Sequence, residues 1–311
     1  MNTKFFIPSA VFILLIAGIS AYFMLPEEKK HYPYQLTIVS IFKNDAEWLK
    51  EWVEYNKAIG ADHMLLYNNE SSDNYKEVLD PYLKSGFVDL VPFPNRPYRD
   101  GKQTWVWFTQ CPAYNDALKR LKGKSKWVAI IDTDEFIVPN HVDSIVEALK
   151  PYDKEEIGGV AINWKCFGTN YVEEVPKDKL MIEMLTKRMD LCEPINYFTK
   201  VIVKPEAVNR VANPHFALMK KGYNLVHTDF SAFKHPDSHS FDNITINHYF
   251  ARTAKYAREE KIKKKELMDN RQFSDYEKKF YLEMGNSHED ENYIGRFVPK
   301  VRAAFNLDKT Q

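Results

Sequence analysis

The stretch Trp127–Pro139, "WVAIIDTDEFIVP", decides the fold. Its first half, Trp127 to Ile131, is an unbroken apolar run that reads as a buried strand. Three carboxylates then arrive within four residues, Asp132, Asp134 and Glu135, before Phe136, Ile137 and Val138 return to apolar character. Two close carboxylates repel, and burial strengthens the repulsion, so charge of one sign at the end of a core strand calls for a partner.

Working outward, "LTIVSIF" (Leu36–Phe42), "HMLLYN" and "FVDLVPF" read as further strands. Between the first two, Trp48, Leu49, Trp52, Val53 and Ile59 recur at helical spacing, with Asp45 placed to cap the start and Gly60 the end. "NNESSDN" (Asn68–Asn74) is turn chemistry, and a short helix covers 75–84. Another helix spans 104–121, with Pro112 an awkward interior residue that moves the start toward itself. Strands alternating with helices over the first 140 residues predict an α/β fold with a mainly parallel sheet flanked by helices. In the second half, "GGVAINWKCFGTN" and "FTKVIVKP" read as strands, and "KLMIEMLTKR" as helix or strand. Arg252–Arg271 reads as a charged helix with eight Lys/Arg against four Asp/Glu.

Ligands of such sheets sit beyond the carboxyl ends of the strands. "FKNDAEW", "YNNESSDN" and "DTDEF" all follow strands, which brings three polar clusters to one edge. Residues i and i+2 of a strand face the same way, so Asp132 and Asp134 converge if strand geometry persists to its end. A hard divalent ion, Mn²⁺ or Mg²⁺, would join them and keep positions open for substrate phosphates. The alternative is a pair that caps the turn and faces water. His248, in "ITINHYF", is either a third metal or diphosphate ligand or a histidine simply hydrogen-bonded in place. No Walker A loop, G-x-G-x-x-G, H-E-x-x-H or G-x-S-x-G is present.

The 311 residues carry 43 Lys/Arg and 43 Asp/Glu, a balance that argues against nucleic-acid binding. Hydrophobic residues at 44% support a sizeable core, and three widely spaced cysteines support neither a zinc site nor a disulfide framework. Phe5–Leu25 is free of charge and long enough to cross a bilayer as a helix. The resulting division is a tail (1–4), a transmembrane signal-anchor (5–25), a stem (26–34), an α/β domain (35–250) and a C-terminal helical extension of it (251–311).

These motifs, in order, resemble a known family. "IFKNDAEWLKEWVEYNKAIGADHMLLYNNESSDN", "QCPAYNDALKRL", "WVAIIDTDEFIVP", "INWKCFGTN", "TKVIVKP", "NPHF" and "INHYF" are similar to glycosyltransferase family 92 and its family-2-like relatives with a D-x-D-E-F motif. The resemblance implies a GT-A-type, Rossmann-like fold and transfer of a hexose, galactose as the family-level guess, from a nucleotide-sugar donor to a glycan acceptor with inversion. It implies donor contacts at Lys43, Asn44, Asp45, Asn69, Asp73, Gln110 and Asp132. It implies metal ligands at Asp132, Asp134 and His248, and an acceptor side at Trp164, Phe167, Gly168 and His215. Low-ranking candidates for a base are Asp229, Asp237 and Glu193, with Glu173 and Asp190 in the same irregular half. Asn44-Asp45, Tyr55-Asn56 and "FARTAKY" depart from the family pattern and touch donor and acceptor detail.

Two other classes compete: a non-catalytic carbohydrate- or nucleotide-binding protein on the same scaffold, and a metal-dependent phosphotransferase or phosphohydrolase. "NES" at Asn69 and "NIT" at Asn243 are glycosylation sequons, and a glycan on Asn69 would obstruct the expected donor loop. A bacterial inner membrane is therefore the favoured setting, with a Golgi type II protein as the alternative.

Overall fold

The computed structural model describes residues 31–95, 105–234, 238–269, 271–290 and 292–307. The N-terminal segment 5–25 lies outside them, and no helix among the described residues is long and apolar enough to cross a membrane.

In chain order the first half runs β1 (Tyr34–Phe42), α1 (Ala46–Ala58), β2 (His63–Asn68), α2 (Tyr75–Lys84), β3 (Val88–Pro92), α3 (Cys111–Leu121), β4 (Ser125–Ile130) and β5 (Glu135–Pro139). The second half adds β6 (Ile157–Cys166), β7 (Lys187–Arg188), β8 (Thr199–Val203), β9 (Val208–Asn213), β10 (Phe216–Met219), β11 (Asn224–His227) and β12 (Ile244–His248). It ends with α4 (Ile262–Asp269), α5 (Asp275–Glu283), β13 (His288–Glu289) and α6 (Val298–Phe305).

One sheet carries the order β3-β2-β1-β4-β8-β6-β12-β5, with β11 also on β6. The four strands β3, β2, β1 and β4 are mutually parallel. The reversed strand β8 lies antiparallel between β4 and β6, and β5 lies antiparallel on β12, so the sheet is mixed rather than purely parallel. The alternation of side chains splits each central strand between two cores. Leu36, Ile38, Trp127, Ala129 and Ile131 join the face covered by α1 and α2. Val39, Ile41, Val128 and Ile130 join the face covered by α3. That is why these strands read as continuous apolar runs.

Several local expectations are corrected. Asp45 starts α1 but makes no side-chain cap bond. The Ala46 N–H donates to Asp73 Oδ2 at 2.8 Å instead, and the Asp45 carboxylate turns to Thr133 and Arg252. "KLMIEMLTKR" is both a helical turn, Met181–Met184, and the short strand β7. A π-helical turn, Val106–Gln110, precedes α3. Pro112 has no N–H to give, and its ring would crowd the carbonyl four residues back; a widened turn just ahead of it relieves both. Finally, the chain turns between β4 and β5, so Asp132 and Asp134 stand in a turn and not on an extended strand.

Candidate active site

The carboxyl ends of β1, β2 and β4 open into a cleft of about 340 Å³. Lys43, Asp45, Asn69, Gln110, Asp132 and Asp134 line it, as the three polar clusters led one to expect. The turn after β4 sends its acids in different directions. Asp132 faces α3 and β8: Oδ1 accepts from Gln110 Nε2 (3.1 Å) and Tyr114 Oη (2.9 Å), and Oδ2 meets Lys200 Nζ at 2.6 Å. Asp134 faces β12 and the C-terminal helices: Oδ1 lies 3.5 Å from His248 Nε2 and Oδ2 3.1 Å from Lys261 Nζ. Glu135 is completely buried; Oε2 accepts the Asp132 N–H, while Oε1 accepts no hydrogen bond and lies 3.5 Å from Lys200.

Neighbouring elements hydrogen-bond to this turn and to the start of β5. Trp52 Nε1 and Tyr55 Oη of α1 each donate at 2.8 Å to the backbone carbonyls of Glu135 and Ile137. Thr133 Oγ1 donates to Asp45 Oδ2, and Arg252 pairs with Asp45 Oδ1 at 2.8 Å. Arg252 sits between the rings of Trp48 and Tyr256 and takes a left-handed backbone, φ 49°. It introduces a helix, capped by Thr253, whose π-helical turn Ala257–Lys261 ends at the residue that reaches Asp134.

Burial opposes ionisation of Asp134, yet Lys261, His248 and Arg252 hold its carboxyl well below the ordinary range. Burial likewise opposes Asp132, and the Lys200 ammonium outweighs it to keep the carboxyl low. Glu135 goes the other way: burial, with Asp132 and Asp134 adding like charge, pushes it well above the usual carboxylate range despite Lys200. Burial lowers His248 against the pull of Asp134, which favours the neutral imidazole that a metal ligand requires.

One oxygen of Asp134, one of Glu135 and one nitrogen of His248 all lie within 4.8 Å of one another. Hard oxygens with one imidazole form a donor set suited to Mn²⁺, and also to Mg²⁺. The unbonded Glu135 Oε1 and the neutral His248 are what such an ion would complete, so the residues fit the group. Asp132 lies outside this cluster, its charge already met by Lys200.

Other expected residues are distributed as follows. Asn44 (φ 55°) accepts the Ser72 N–H, and Asp73 holds the start of α1, both at the rim. Asn69 is buried; its amide nitrogen donates to Phe93 O and Asn95 Oδ1, and its oxygen accepts from Trp105. Trp164 lies against His248, ring centroids 4.2 Å apart, and against His215 and Phe198. Burial beside Lys200 lowers His215 to about 4. Phe167 is buried against Tyr249, away from the cleft. At Gly168 a Cβ would lie 2.5 Å from the Gly285 carbonyl carbon, so close packing of two backbones requires this glycine. Asp229 and Glu193 are exposed, Asp229 bonding the Ser231 N–H two residues on. Glu173 pairs with Arg258 at the surface, and Asp190 with His288. Asp237 lies outside the described residues.

Sequence reasoning missed Lys200, Arg252, Tyr114 and the place of Glu135 beside Asp134 and His248, and read Lys261 only as part of a basic helix with a solvated face. Lys200 had a readable signal: a charge inside the apolar strand "TKVIV" must find a counter-charge.

A carboxylate–histidine cluster that could hold a divalent ion, beside a cation-lined cleft at the carboxyl edge of an α/β sheet, is what fold and geometry define. Residues 36–284 match the profile of Glycosyltransferase family 92, and the chain belongs to that family. A family 92 protein of Ricinus communis is 26% identical over 223 residues, 70% of this chain and 35% of its own. One of Oryza sativa subsp. japonica is 26% identical over 60% of this chain and 30% of its own. A galactan β-1,4-galactosyltransferase of Arabidopsis thaliana is 26% identical over 41% of this chain and 26% of its own. The chain thus spans about a third of the length of the curated relatives it matches. Among solved structures, a mannosyltransferase of Pyrobaculum calidifontis with GDP-Man and Mn²⁺ is similar at 15% identity, covering 63% of this chain and 52% of its own, with a TM-score of 0.34.

Proposed function

We infer that this chain is a metal-dependent glycosyltransferase that moves a hexose from a nucleotide-sugar donor to a glycan acceptor. The observation that carries the reading is the Asp134–Glu135–His248 cluster, which reaches through Asp134 into a cleft also lined by Lys43 and Lys264, two cations with no hydrogen bond or ion pair among the described residues. A bound Mn²⁺ or Mg²⁺ would supply charge stabilisation for a departing nucleoside diphosphate. Asp132, fixed by Gln110, Tyr114 and Lys200, offers an oriented carboxylate edge to the donor. Trp164, Phe198 and His215 form an aromatic group on the other side of His248, suited to the face of an acceptor sugar. Inversion remains part of the reading, with no base assigned. Galactose is the sugar tested first, supported by the partial similarity to a galactan galactosyltransferase.

Phe5–Leu25 supports a membrane-anchored enzyme, and a bacterial inner membrane is the favoured setting over a Golgi type II arrangement. In either setting the buried Asn69 amide, engaged on both sides, leaves its sequon closed to a glycan in the folded chain.

The test is a donor screen on the purified full chain with Mn²⁺, Mg²⁺ or EDTA, reading released nucleoside diphosphate. Turnover of one donor, dependent on metal and lost in Asp134→Asn, is expected. Metal-independent donor binding without turnover would favour the binding-protein reading, and phosphate release from simple esters the phosphohydrolase reading.

A further inference from the structure

Lys261 occupies a position that a metal-dependent site cannot leave unchanged. Its ammonium lies 3.1 Å from Asp134 Oδ2, the same carboxylate whose other oxygen faces His248. Both side chains are largely buried, 19% and 15% exposed, so their charges interact with little screening. A divalent ion in the Asp134–Glu135–His248 triangle would draw on the Asp134 charge and repel the ammonium beside it. Lys261 then needs a new anion. The cleft supplies a direction: Lys264, three residues on and so on the same side of the helix, lines it, as does Lys43 from the end of β1. Arg252 also lines the cleft, but its guanidinium is paired with Asp45 at 2.8 Å and packs over Trp48 and Tyr256, so it is not released when a metal takes Asp134. Lys200 is likewise held between Asp132 and Glu135.

We propose that Lys261 is a displaceable counter-ion, neutralising Asp134 when metal is absent and passing to the donor's diphosphate, beside Lys264, when metal takes Asp134. The proposal rests on the metal-dependent reading above. Its consequence is an opposite-signed pair of effects that a purely structural lysine would not produce. Lys261 competes with metal alone but assists metal plus diphosphate.

The experiment uses the full chain and two probes: Mn²⁺ alone, followed by electron paramagnetic resonance of the free ion, and UDP or GDP titrated calorimetrically with Mn²⁺ present. Lys261→Met should bind Mn²⁺ alone about 3- to 10-fold more tightly, because a competing ion pair is gone. It should bind the diphosphate ~10-fold more weakly, because a charged hydrogen bond is gone. Lys264→Ala, which makes no ion pair in the described structure but feels Asp134 through space, should move Mn²⁺ affinity much less than Lys261→Met does and weaken the diphosphate. Lys261→Arg should restore most of the diphosphate affinity. Thermal melts confirm that each variant is folded. If wild type binds both probes but Lys261→Met weakens both, or moves neither, the counter-ion role is overturned while the metal-dependent reading stands. If wild type binds neither Mn²⁺ nor Mn²⁺-dependent diphosphate, that reading falls and takes this one with it.

Discussion

Lys200→Met tests the charge arrangement of the site most directly, because it removes a charge while keeping most of the side-chain volume. Lys200 is 1% exposed, and its ammonium serves two carboxylates, Asp132 at 2.6 Å and Glu135 at 3.5 Å. Removing one member of a buried pair costs ~3–5 kcal/mol, chiefly because the charge left behind is uncompensated. Asp132 is a third exposed, so water screens part of its loss, and the lower end, ~3 kcal/mol, is the expected value. For a domain of this size each kcal/mol moves the midpoint by ~2–4 °C, so the variant should melt ~6–12 °C lower in EDTA at neutral pH. Two conditions should narrow the gap. Acid should, because protonating the orphaned carboxylates removes the charge that Lys200 had met. Mn²⁺ should, because a cation near Glu135 replaces part of the lost one. The assay is a set of thermal melts of both proteins across pH 4 to 8, with EDTA or with Mn²⁺. A variant that melts within ~1 °C of wild type in EDTA would refute the reasoning, since such small shifts belong to surface positions.

Other outcomes follow from the same geometry. Asp134→Asn and His248→Ala should each weaken Mn²⁺ binding by ~100-fold or more, read by electron paramagnetic resonance, with unchanged secondary structure by circular dichroism. Glu51 is buried in α1 and accepts the Met181 and Ile182 N–H groups; burial, only partly offset by these bonds, raises its pKa to about 7. Its folded value therefore lies above its unfolded one, so its contribution to stability is complete below pH ~4.3 and is lost as pH rises to about 7. The difference amounts to ~3 kcal/mol, and Glu51→Gln should remove that component of the slope in denaturant titrations between pH 5 and 7. An identical slope in both proteins would contradict the assignment. Gly168→Ala forces apart the backbones of Gly168 and Gly285, and should cost ~1–3 kcal/mol in a urea titration.

The layout of the sheet was legible because local periodicity encodes it. Leu36–Phe42 and Trp127–Ile131 are buried on both faces, and that alone makes them continuous apolar runs. The reversal of β8 was not legible, since a strand's direction depends on where its connections run and not on its own residues. Asp132 and Asp134 do reach one cleft, but not as neighbours on an extended strand, for a specific reason. Alternation holds only while the strand lasts, and the chain turns at these residues, sending one acid to β8 and the other to β12. What the sequence showed was an unexplained excess of acid in "DTDE", which invited either a metal or a capped, solvated turn. The structure divides the task. Lys200 meets Asp132 from 68 residues away, Lys261 meets Asp134 from 127, and Arg252 meets Asp45 from 207. All three cations come from the second half of the chain and all three acids from the first. No local window contains both members of any pair, so the acids are visible as a motif while their counter-ions look like ordinary surface charge. The acid left without a hydrogen bond at Oε1 is Glu135, the one carboxylate in the turn that had been given no role. The triangle that Glu135 closes with Asp134 and His248 is thus a better candidate for a divalent ion than the pair Asp132 and Asp134.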